Sequence, residues 1–377
     1  MTRRAIAAAV LLTAFAGCTT GGKSTGGEHP LDSPEESPSS IEEHELYWYQ
    51  RGADATKAVW NKFRISADKS LIGEGGRVPS YSFATGAFNL ILDNVSTFWR
   101  KDLAAEAVAA YVGDFSAICP DRAANGRNDE VLLWATACAR ASRLTGNVKY
   151  LDEACRLYDA LWLKQVDNAV GGGMWHRSDE KTSKSMSANM CAVIAAVHLY
   201  SDTQDMKYLL QARRLYKWAS SQMFVPSTGA VYDSVSVDGT RSNVEYAGNA
   251  GAFIGASMRL YKATGSRAYL VNAKKAADRL VNSLESDKTE LCPEKVGESL
   301  PDILAIRYLS ELARRPGCEK YREFILVHAR SAWTSRRLSD GLNGPDWTKA
   351  PAAGDEIEPW HAIAAAMLYH SASRACR

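Results

Sequence analysis

Apolar residues recur at three- and four-residue spacing through most of the chain, the pattern of amphipathic helices rather than strands. Four stretches echo one another, at 134–158, 193–216, 254–277 and 305–329. Each is an Ala-rich run, a tight turn, and a second amphipathic run opened by a tyrosine. Those tyrosines are Tyr150, Tyr208, Tyr269 and Tyr321, separated by 58, 61 and 52 residues. A period of that length marks one supersecondary unit, a helical hairpin, repeated along the chain. Extending the pattern outward predicts twelve helices, at 45–63, 82–96, 102–115, 129–144, 148–166, 186–200, 206–222, 249–262, 267–284, 300–313, 318–336 and 358–373.

Even-numbered helices of this series are rich in small and apolar residues, whereas odd-numbered ones carry more Lys, Arg and Asp. Six apolar helices alternating with six amphipathic ones imply an inner ring sheathed by an outer ring. The expected fold is therefore all-α, an (α/α)6 barrel of six helical hairpins, with a stacked solenoid as the competing architecture. Turns from an inner helix to the next outer one are short, as at Thr145-Gly146-Asn147. Connections from outer to inner are long, at 64–81, 116–128, 167–185, 223–248, 285–299 and 337–357. All six long loops then gather at one mouth, over the inner-helix N-termini, which is where a site is expected.

The first forty residues follow another pattern. Arg3-Arg4 precede an apolar run of twelve residues, Ala5 to Ala16, too short to span a bilayer and suited to a secretory signal. It ends in Ala-Gly-Cys, which resembles a bacterial lipobox with Cys18 as the lipidated residue. The expected organisation is signal peptide 1–17, lipidated Cys18 with a Gly/Ser/Pro-rich tether over 18–40, and a barrel domain over 41–377. Such a chain is exported and held on the envelope by its lipid alone, or secreted if Cys18 is incidental. Losing Arg3 and Arg4 with the signal leaves 43 basic against 43 acidic residues, so the formal charge of +2 vanishes. No basic surplus points to nucleic acid. The eight cysteines form no CxxC and no Cys/His cluster, so no metal or other cofactor is expected. Cys138, Cys155 and Cys191 fall in helical patterns, where they read as small buried hydrophobes.

Candidate chemistry sits where long loops meet inner helices. The helix near 129 opens Arg127-Asn128-Asp129-Glu130. Asn128 suits an N-cap and the acids suit the helix dipole, which would explain all three structurally. The same two carboxylates, Asp129 and Glu130, suit the general-acid and nucleophile or base duties of glycosidic cleavage. Gly171-Gly172-Gly173-Met174-Trp175-His176-Arg177 allows close backbone approach beside an aromatic ring and an imidazole, and its spacing is not a nucleotide fingerprint. Tyr232, Asp233 and Tyr246 flank the longest loop, and Asn189 and Asn249 near helix starts are either caps or amide partners for sugar hydroxyls. Trp347 and Trp360 surround the last helix start, and with Trp175 they are candidate platforms for pyranose rings; Trp134, Trp162 and Trp218 read as core.

These motifs, over about 45–374, resemble glycoside hydrolase family 76, the endo-α-1,6-mannanases and related bacterial proteins. The resemblance rests on Asn128-Asp129-Glu130 with Trp134, the Gly-Gly-Gly-Met-Trp loop, Asn189, Gly229-x-Val231-Tyr232-Asp233, the run from Asn249 to Ala256, and Arg307-Tyr308-Leu309. It implies an (α/α)6 barrel and two consecutive aspartates acting as nucleophile and acid/base with retention. Aligning those aspartates on Asn128-Asp129 places an amide at the nucleophile position, so the expected pair becomes Asp129 and Glu130. Ala250 stands where the family pattern has Gln. The implied function is a secreted hydrolase of α-1,6-mannan or a related glycan, working as a monomer. The alternative is a catalytically silent glycan-binding envelope lipoprotein on the same scaffold.

Overall fold

The computed structural model describes residues 41–66, 68–73, 77–96, 101–286 and 301–377. The signal, Cys18 and tether expected over 1–40 lie outside the described residues. Twelve α-helices are described: α1 (Ile41–Phe63), α2 (Tyr81–Val95), α3 (Lys101–Ile118), α4 (Asn128–Thr145), α5 (Val148–Gln165), α6 (Met186–Thr203), α7 (Met206–Met223), α8 (Ala247–Thr264), α9 (Arg267–Ser286), α10 (Pro301–Ala313), α11 (Glu319–Thr334) and α12 (Pro359–Ala375). No described helix is long and apolar enough to cross a membrane.

Helices α2, α4, α6, α8, α10 and α12 each pack on the next, and α12 returns to pack on α2. That closure makes a ring rather than a solenoid. The outer helices α1, α3, α5, α7, α9 and α11 pack against this ring. Burial follows composition: every residue of α12 from Pro359 to Ser373 is buried, while α5 buries only the stripe Ala154, Leu157, Tyr158, Leu161 and Gln165. Small residues let inner helices approach closely. A Cβ on Gly251 of α8 would lie 2.3 Å from the Ala305 backbone nitrogen of α10, so this crossing requires glycine.

Inside the ring, one carboxylate holds three helices. Asp93 at the end of α2 is buried and ion-paired with Arg140 of α4 at 2.6 Å, Arg307 of α10 at 2.5 Å and Arg374 of α12 at 3.1 Å. Burial alone would raise its pKa, but the three guanidiniums outweigh that and hold the carboxyl well below its ordinary range.

Short strands bind the long loops to one another, a feature absent from the helical expectation. β1 (Ser183–Ser185) pairs antiparallel with β4 (Ser234–Ser236), and β2 (Phe224–Val225) pairs with β3 (Ala230–Val231). Loop backbone that is not exposed must bond somewhere, and here adjacent loops satisfy each other.

Candidate active site

The six inner helices present their N-termini to the long-loop face. Helix α4 begins there with Asn128, Asp129 and Glu130, all buried. Asn128 is not the expected cap. Arg127 occupies the cap position without a side-chain bond, and the Asn128 amide donates to the Trp175 carbonyl at 2.8 Å. Its own backbone N–H donates to the His176 carbonyl at 3.0 Å. Asn128 is therefore a stitch between α4 and the glycine loop, with its side chain turned away from the mouth.

The two acids behave differently. Asp129 accepts from Ser187 Oγ at 3.1 Å and from the Glu130 backbone N–H at 3.0 Å, and Arg127 lies 3.3 Å away. His176 Nε2 is 3.9 Å from the same carboxylate. Burial pushes the Asp129 pKa up, yet Arg127, His176 and the Ser187 hydroxyl together bring it below the ordinary carboxylate value. Asp129 is thus an anion in neutral solution. Glu130 accepts from Ser82 Oγ and from the Asn125 amide at 2.8 Å, while Arg127 Nε stands 3.2 Å away. Arg127 bridges both carboxylates. Ser82, Asn125, Arg127 and Ser187 went unnoticed as site partners in the sequence, because single polar residues in or just before the first turn of a helix carry no pattern of their own.

The glycine loop is held by a buried cation. Lys184 is wholly shielded from solvent, and its ammonium donates to Asp167 at 2.6 Å and to the carbonyls of Ala169, Gly172 and Gly173 at 2.9, 2.6 and 3.1 Å. It also lies 4.6 Å from the Trp175 ring centroid. Gly173 has φ +81°, and a Cβ there would be 2.3 Å from the Trp218 ring. Gly172 and Gly173 therefore turn their carbonyls onto Lys184 and pack under Trp218, rather than opening backbone to a ligand.

Several expected contacts are corrected by burial. Trp175, at 3% exposure, donates its indole N–H to Asp167 at 2.7 Å. Trp347 is fully buried, and Trp360 is buried with its ring edge-on to Phe83. None of the three is an open stacking face, because each is buried; Trp360 packs between inner helices α12 and α2. Asn189 is buried in the first turns of α6, where it bonds both the N–H and C=O of Met174 and so anchors the glycine loop. Asn249 is likewise buried, donating to Asp233 at 2.9 Å. Neither is an N-cap, and neither amide points into open space. His176 and Ser187 stay half-buried beside Asp129; of the other expected contacts, Tyr232 and Asp233 are half-buried and Tyr246 is exposed at the start of α8.

The sequence model of Glycosyl hydrolase family 76 matches residues 5–299. The chain belongs to that family. No curated protein matches it. Among solved structures it is similar to the α-1,6-mannanase of Salegentibacter sp. HEL1_6, with 21% identity, a TM-score of 0.75, and coverage of 86% of this chain and 98% of that one. An inactive form of that mannanase, with two consecutive aspartates changed to asparagine and α-1,6-mannotriose bound, superposes at 0.76 with 22% identity over 86% of this chain and 99% of that one. A family 76 α-mannanase from Bacteroides thetaiotaomicron has 18% identity and a TM-score of 0.69, covering 87% of this chain and 95% of that one. At these identities the likeness establishes the all-α barrel. The cysteines agree with the helical pattern: Cys138 and Cys191 are buried thiols and Cys155 is half-buried.

Proposed function

We propose that this family 76 protein is a retaining glycoside hydrolase acting on α-1,6-mannan or a closely related neutral glycan, with Asp129 and Glu130 as its carboxylate pair. The observation that carries the reading is the environment of these neighbours at the head of α4: Asp129 is held ionised by Arg127, His176 and Ser187. Asp129 then attacks the anomeric carbon as the leaving oxygen takes a proton from Glu130, giving a glycosyl ester. In the second step Glu130 takes a proton from water, whose oxygen displaces Asp129. Arg127, bridging the two, keeps opposite charge beside both through the proton transfers. Inactivation of the Salegentibacter enzyme by changing two consecutive aspartates supports a pair of adjacent acids. Tyr246, the one exposed ring among the expected sugar contacts, serves as the stacking face at the rim. Export and anchoring through a lipid on Cys18 complete the proposal, because a large glycan is met outside the cell.

Reducing-sugar release from α-1,6-mannan tests it. Wild-type turnover, with Asp129→Asn and Glu130→Gln each lowering kcat by about a hundredfold or more, is the expected result. Turnover unchanged in both variants would refute the pair. Glycan binding by a wild type with no turnover would favour the silent binding protein instead.

A further inference from the structure

A cavity of about 1000 Å3 lies not at the loop face but at the opposite end, where all six inner helices contribute their C-terminal portions. Its lining carries nine arginine and lysine side chains against three carboxylates, Asp93, Asp202 and Glu311. Helix C-termini are themselves partly negative, and six of them at about half a charge each offset roughly three of the six surplus positive charges. Arg377 is engaged outside the lining by Glu45 at 2.7 Å. About two positive charges are then left without compensation.

The partnering within the cavity shows the same surplus. Glu311 is taken by Arg259 and Asp202 by Arg143, while Lys262, Arg314 and Arg315 face the space with no ion pair among the described residues. His198 stands between two guanidiniums, with Nδ1 2.7 Å from Arg143 and Nε2 3.4 Å from Arg259. Burial and these neighbours keep it uncharged, so it has one ring N–H and one acceptor. One of its two guanidinium neighbours therefore faces a hydrogen rather than a lone pair. The neutral ring thus accepts from only one guanidinium, and the other keeps an N–H for a different acceptor, such as an anionic oxygen in the cavity.

We propose that this basal cavity is a second binding site, separate from the acids of α4, for a compact anion bearing two or more negative charges on phosphate groups. Arginine forks match phosphate oxygens bidentately, and surplus charge of about two matches a phosphate monoester. The space is large enough to hold the organic group that carries it. A soluble molecule and a lipid headgroup both carry this chemistry, and the experiment separates the two sources.

Purified full-length protein is titrated calorimetrically with tripolyphosphate, and by sedimentation with vesicles containing phosphatidic acid. The comparison protein is Lys262→Ala/Arg314→Ala/Arg315→Ala, which leaves the Asp93 network in place. A second triple, Lys57→Ala/Lys164→Ala/Lys217→Ala, removes the same charge from exposed outer-helix positions. The expected result is saturable, salt-sensitive binding weakened at least about tenfold in the cavity triple and little changed in the outer one. Binding of tripolyphosphate but not vesicles identifies a soluble ligand; binding of vesicles, competed by tripolyphosphate, identifies a headgroup. No saturation by either probe, or equal weakening in both triples, overturns the proposal. None of these readings depends on glycan hydrolysis.

Discussion

Replacing Lys184 by Met isolates what the buried ammonium does for the glycine loop. Met keeps most of the side-chain volume but none of the donors, so packing changes little while four acceptors lose a partner. Three of them are carbonyls. A buried acceptor left without a partner costs about 1–3 kcal/mol, and Gly172 and Gly173 bond Lys184 at buried positions. Asp167 is 44% exposed and regains water, so its loss contributes little. Against this, Met avoids the cost of shielding an ammonium, which burial already presses below its ordinary pKa despite Asp167. The net expectation is a loss of about 3 kcal/mol, at the low end for breaking a buried charge cluster. Urea unfolding followed by fluorescence reads this as a lower midpoint at unchanged slope. Near-ultraviolet circular dichroism should change as well, since Lys184 lies against Trp175 and Trp218. A Lys184→Met protein within about 1 kcal/mol of wild type would refute the clamp, because it would mean the glycine turn holds its shape without a cation.

Two further outcomes follow from the geometry. Gly173→Ala, forced into a left-handed conformation with its Cβ against Trp218, should destabilise by about 3 kcal/mol or more, seen as a lowered thermal midpoint. Stability should also fall with pH in two stages. His370, lowered by burial to about 4, stays neutral in the fold while the unfolded chain takes up a proton near 6.5, so stability drops by about 3 kcal/mol as pH falls from 6.5 to 4. Between about 4 and 2 the depressed carboxylates, Glu311 at about 2 among them, add a second loss as they protonate. His198, likewise kept neutral by burial and its arginine neighbours, adds to the first stage. His370→Gln should therefore shrink that stage by the share of His370 and leave the second in place; an unchanged profile would contradict its buried neutral state.

Helix positions were legible in the sequence to within a few residues, because the apolar period and the short turns at 145–147, 202–205, 264–266 and 314–317 leave little freedom. The acids at the head of α4 were legible too, since a helix start after a long loop fixes where they lie. The tryptophans were not. A Trp beside a loop reads the same whether it faces a ligand or is packed inside, and Trp175, Trp347 and Trp360 are packed inside. Lys184 was missed because a lysine in a polar loop reads as solvated. The signal was in the triple glycine upstream, whose left-handed turns converge carbonyls that need a cation. Asp93, Arg140 and Arg374 each break an apolar inner helix toward its C-terminal end, and Arg307 breaks the short α10 at its middle. That shared depth was readable only once the helices were known to form a ring, since Asp93 and Arg307 are 214 residues apart.

The contact between Glu45 and Arg377 brings the two ends of the described barrel together. It joins the second turn of α1 to the last residue of the chain, so both termini of the barrel meet at the basal end. A leash fastened ahead of Ile41 would therefore hold the barrel by its base, like a cup on a stem. If a lipid on Cys18 holds the chain as proposed, the tether enters at the base, on the side opposite the loop-lined rim and beside the arginine-rich cavity.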